Sequence, residues 1–168
     1  MNKLDKNLDV EFHGEILFCL GKIIDLNHGK QKIKVLEYAK DFAKNANATT
    51  RENAIIVLGW LGGNREIELL GNTLLHDTNN KCRAWSASSF MQISFRKKIN
   101  AEKVLPYLYK SIKQEHDNFV IESVINTLQE ITENKFGLRK KDMNINNIEA
   151  VHHAKIKVLK YFDKKYGK

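Results

Sequence analysis

The residues of this chain that could do covalent or metal chemistry are two adjacent imidazoles, two cysteines and a scatter of carboxylates. His152 and His153 are neighbours in sequence. Successive residues leave a helix in different directions, so they cannot form the i, i+4 pair that holds a zinc ion. Cys19 and Cys82 each stand alone inside an apolar helical pattern, with no partner at ligand spacing. The expectation is two buried, reduced thiols. There is no Gly-rich phosphate loop and no serine-nucleophile motif. The sequence therefore predicts no catalytic residue, no metal, no cofactor and no small-molecule substrate.

What remains is recognition, and the stretch from Thr49 to Gly63 poses the question. Trp60 lies between two Leu-Gly steps, Leu58-Gly59 and Leu61-Gly62. Aligning the chain on the first of these steps gives anchors at Leu20, Leu58, Phe90 and Leu128, spaced 38, 32 and 38 residues apart. A period in this range marks stacked helical units. Seven residues before the anchors stand His13, Arg51, Arg83 and Ile121, and four before stand Ile16, Ala54, Ser86 and Val124. With the anchor and the residue three after it, these make one helical stripe, mostly apolar or small. Intervening helices are predicted over Gln31–Asn45, Arg65–His76 and Ala101–Gln114, where Pro106 is expected to bend the last near its start. A single proline in 168 residues also argues against a sheet protein rich in turns.

Arg51-x-x-Ala54-x-x-x-Leu58-Gly59-x-Leu61-Gly62, Asp77 six residues before Arg83, and Arg83-Ala84-Trp85-Ser86-Ala87 resemble HEAT repeats. The resemblance covers roughly residues 10–134 and weakens outward: His13 and Ile121 stand where the arginine is expected, and Asn45 where the aspartate is. It implies an all-α, right-handed α-α solenoid of about four units, the outer ones acting as caps. It also implies a structural ladder of Arg51, Asp77 and Arg83, with Asp77 accepting from backbone N–H groups or from Arg83.

In such an array the anchor helices line a concave surface. Positions five before, two before and two after each anchor would share that surface. The expected partner-binding residues are Phe18, Lys22, Asn53, Ile56, Trp60, Trp85, Ser88, Gln92, Asn126 and Glu130. Aromatic anchors with a polar surround are what protein interfaces use. The alternative is that Phe18, Ile56, Trp60 and Trp85 only pack on neighbouring helices.

Charge divides the chain. Residues 1–134 hold 18 Lys+Arg against 17 Asp+Glu, and residues 135–168 hold 10 against 3. A neutral repeat array over 1–134 is thus followed, in the same domain, by a basic loop and a C-terminal capping helix over 135–168. Arg139, Lys140, Lys141 and Lys155 are the candidate basic contacts, for an acidic protein surface or a nucleic-acid backbone. The N-terminus mixes acidic and basic residues, and the apolar run Ile16–Ile24 is short and broken by Gly21 and Lys22. No signal peptide or membrane span is expected, and the location expected is the cytoplasm.

The leading expectation is a non-catalytic binder or inhibitor of one protein, in a one-to-one complex, of the kind an immunity or antitoxin protein makes. The runner-up is nucleic-acid binding through the basic segment. A less favoured form of it resembles the alkylpurine DNA glycosylases, with Trp60 and Trp85 as the aromatics and Glu15 or Glu52 as the acid.

Overall fold

A computed structural model describes residues 10–24, 29–96, 99–138 and 147–166. Its described residues form eight α-helices and no strand: α1 (Val10–Ile23), α2 (Gly29–Phe42), α3 (Ala48–Leu61), α4 (Ile67–His76), α5 (Asn80–Arg96), α6 (Ala101–Gln114), α7 (Asn118–Thr132) and α8 (Ile148–Tyr166). A single 3-10 turn, Asn64–Glu66, leads into α4. The chain is all-α.

Local chemistry starts these helices. Asn47, Asn79, Asp117 and Asn147 each place a side-chain oxygen on an otherwise unpaired N–H in the first turn of α3, α5, α7 and α8. Two residues earlier, Asn45, Asp77 and Glu115 accept from the backbone N–H of residues 47, 79 and 117. One turn design thus precedes α3, α5 and α7. It also ends α2 at Phe42, short of the expected Asn45, because the Asn45 side chain is bound to the turn. Pro106 lies inside a continuous α6 that has the expected bounds.

The helices alternate between two rows. In the first row α1, α3, α5 and α7 each pack on the next. In the second, α2 lies on α3, α4 on α5, and α6 on α7, while α8 packs on α6 and α7. The core runs between the rows as one cluster, from Leu17 to Phe162. Ala54, Leu58, Ser86, Phe90, Val124 and Leu128 are wholly buried in it. Burying one large apolar side chain stabilises the fold by about 1.5–3 kcal/mol.

The Leu-Gly step is a packing device. A Cβ on Gly21 would meet the Val57 side chain at 2.6 Å, and one on Gly59 would meet Ser89 Oγ at 2.5 Å. Glycine here lets α3 approach α1, and α5 approach α3. Across the same contacts Ser89 donates to the Ile55 carbonyl and Thr127 to the Ala87 carbonyl, both at 2.9 Å. Neighbours on several sides explain why α3 is buried almost all round.

Of the two thiols, Cys82 is buried as expected, but Cys19 is exposed. Its register explains the difference. Cys19 matches Val57, Ser89 and Thr127, which face the preceding helix of the first row, and among the described residues no helix of that row precedes α1.

Candidate functional site

The ladder residues come together, but with a different pairing. Arg51 donates from Nε and Nη2 to both oxygens of Asp77, at 2.9 and 2.8 Å. Arg83 does not take Asp77 as its acid. Its Nε and Nη2 reach Glu115, at 2.7 and 3.1 Å. Its Nη1 donates instead to the backbone carbonyls of Asp77 and Thr78, as Arg51 Nη1 does to those of Asn45 and Ala46. Each arginine therefore bonds the turn before its own helix and reaches the carboxylate of the next turn. Six residues before Ile121 stands Glu115, at the position of Asp77. That offset was the signal for Glu115, hidden because the residue is not an aspartate.

Burial pushes the Asp77 and Glu115 carboxyls up, but hydrogen bonds from Arg51 and Arg83, aided by backbone N–H groups, outweigh it. Both carboxyls titrate below their ordinary range. The series stops at α7, where Ile121 replaces the arginine. There Lys155 of α8 donates from Nζ to the Glu115 carbonyl at 2.7 Å. Lys155 is thus tied to a turn rather than held out to a partner, and burial lowers its pKa despite the nearby Glu115. Arg139, Lys140 and Lys141 lie outside the described residues.

The expected aromatic patch separates into two clusters. Phe18 and Trp60 pack ring to ring across α1 and α3, their centroids 5.0 Å apart, with Lys22 Nζ 4.4 Å above the Phe18 ring. Trp60 is half-buried against the core, which gives it a packing role whatever else it meets. Ile56 is only 6% exposed, too little to offer a contact. Asn53 is also buried, with Nδ2 3.5 Å from Glu15 Oε1. Gln92 is half-buried, and its Oε1 has no hydrogen-bond partner.

The second cluster is a groove of about 560 Å³ along α5 and α7. From α5 come Trp85, Ser88, Met91 and Phe95, and from α7 come Glu122, Asn126 and Glu130. Trp85, Ser88, Asn126 and Glu130 were among the expected contact residues, and the structure brings all four to this groove. The Trp85 indole is fixed by its Nε1–H, which donates to Glu52 at 2.9 Å. Phe95 is 64% exposed and Phe119, also on the lining, 37%. Large apolar groups left in water beside carboxylates and amides can bury area and read polarity together.

Glu122 escaped the sequence reading because it lies one residue outside the three positions assigned to the face. Its side chain is buried, and desolvation raises its pKa. Among the described residues no group of three His, Cys, Asp or Glu side chains could hold a metal ion, and no helix is long and apolar enough to cross a membrane. No protein-family model, curated protein or solved structure matches this chain.

Proposed function

We propose that this chain is a non-catalytic, HEAT-like right-handed solenoid that binds one protein partner through the concave face of α1, α3, α5 and α7. The observation that carries the reading is the groove along α5 and α7, which joins a fixed tryptophan, exposed phenylalanines and a mixed polar rim. The recurring turn, arginine fork and hydroxyl-to-carbonyl bond support the repeat assignment. With four units, the array suits a dedicated binder or inhibitor, in the manner of an immunity or antitoxin protein in a cytoplasm.

The test is a native pull-down with and without nuclease, using wild type and a Trp85→Ala/Glu130→Lys variant with unchanged helical content. The expected result is a nuclease-resistant protein captured by wild type and lost from the variant. Nuclease-sensitive capture that survives the variant would overturn the reading. It would favour the second one, phosphate contact through the exposed Lys157, Lys160 and Lys164 of α8.

A further inference from the structure

Glu122 holds in α7 the position that Glu52 holds in α3, each six residues before its anchor. The two carboxylates differ in what meets them. Glu52 accepts the indole N–H of Trp85 from the next helix of the first row. Among the described residues no helix of that row follows α7, and none supplies a corresponding donor to Glu122. Glu122 is only 8% exposed, and among the described residues it has no hydrogen-bond or ion-pair partner. Its carboxylate opens onto the groove from an otherwise buried side chain, so it is poorly solvated, and a cationic N–H group answers it best.

The surroundings select the donor further. Among the described residues the groove lining holds two carboxylates, Glu122 and Glu130, and no lysine or arginine. This is an acidic site on a chain whose formal net charge is +8. The same lining offers the Trp85 and Phe119 rings, on which a flat cation can stack. A planar guanidinium satisfies both demands, stacking on a ring while forking onto a carboxylate.

We propose that the groove along α5 and α7 receives an arginine side chain of the protein partner, whose guanidinium donates to Glu122 as the Trp85 indole donates to Glu52. The proposal rests on the partner-binding reading above and names the chemistry of that partner's contact. Phe95 and Phe119 offer apolar area beside the carboxylates, and the charge of the groove is complementary to the arginine.

The test uses three short probes, Ac-Gly-Arg-Gly-NH2, its citrulline counterpart and spermidine, titrated into the full chain and followed by 1H–15N NMR. Citrulline keeps the planar N–H groups without the charge. The expected result is saturable movement of the Trp85 indole and α7 amide signals with the arginine peptide. Binding of the citrulline peptide should be at least about tenfold weaker, a difference of ~1.4 kcal/mol. Glu122→Gln, which keeps the shape, should weaken the arginine peptide to a similar degree. No movement at the groove, equal binding of the two peptides, or unchanged binding to Glu122→Gln would overturn the proposal. Tighter binding of spermidine would assign the groove to a free polyamine and overturn the protein side chain as occupant. In the pull-down, a protein lost from Trp85→Ala/Glu130→Lys but kept by Glu122→Gln would leave the binding reading standing and remove the arginine contact.

Discussion

The guanidinium of Arg51 forks onto both carboxylate oxygens of Asp77, joining the first turn of α3 to the turn before α5. The two side chains retain 13% and 6% of their exposure, so neither is well solvated. Removing one member leaves the other charge buried and unanswered, which costs about 3–5 kcal/mol for a fully buried pair. Asp77→Asn should therefore destabilise the chain by about 2–3 kcal/mol, less than that limit because the pair reaches the surface. The measurement is the midpoint of urea unfolding at constant slope. Adding Arg51→Met should restore part of the loss, and a double variant no more stable than Asp77→Asn would refute the coupling.

The same pairs set the acid sensitivity. Asp77 and Glu115 both have lowered folded pKa values. Their stabilisation is present above the unfolded carboxylate range, about 4, and is lost as pH falls through the folded values. The stability gap between wild type and Asp77→Asn should be full at neutral pH and close on acidification below about 4. Glu122 carries the opposite sign, its pKa being raised by burial. It favours the fold when protonated, and this contribution is lost as pH rises through its folded pKa. Glu122→Gln should therefore be at least as stable as wild type at neutral pH, with the difference shrinking below about 4. A series of urea melts against pH reads both signs.

Gly59 separates helix propensity from packing. Alanine is the better helix former by about 1 kcal/mol. Against that gain, its Cβ would sit 2.5 Å from Ser89 Oγ and 3.0 Å from Ser89 Cβ, in a contact where Ser89 also donates to Ile55. Overpacking a fitted contact costs about 1–3 kcal/mol. Gly59→Ala should lower the thermal midpoint despite the better propensity. A raised midpoint would mean that α5 can move away from α3 at little cost.

Much of this arrangement was legible in sequence, for identifiable reasons. The bounds of α6 follow from its apolar period, and the anchors Leu58, Phe90 and Leu128 mark positions with no exposure. Asp77 and Arg83 were visible as a turn and a helix start. Their partners were not, because an arginine side chain spans to the neighbouring turn and the spacing does not say which way it reaches. Ile56 reads as a surface residue on a helical wheel of α3 alone. It is buried because α1, α2 and α5 all pack on α3, a fact of the assembly rather than of the segment. The groove was half-legible. Trp85, Ser88, Asn126 and Glu130 share a register, but Glu122 matters only because, among the described residues, no further helix follows α7 in its row.

The two cysteines offer a test of the register itself. Cys82 is fully buried, its Sγ lies 3.6 Å from the Ala48 carbonyl, and burial pushes its thiol up to about 12. Only the thiolate reacts readily with alkylating reagents, so Cys82 should be inert in the folded chain on both counts. Cys19 occupies the equivalent of Val57, Ser89 and Thr127, but among the described residues no first-row helix precedes α1 to cover it. Iodoacetamide at mildly alkaline pH should add a single label to the native protein, at Cys19, and a second only after denaturation. Mass spectrometry of the intact chain and its peptides reads both. Protection of Cys19 in the native state would show that something covers this face of α1 in solution. Labelling of Cys82 at a comparable rate would mean that α3 and α5 separate far more readily than their shared core allows.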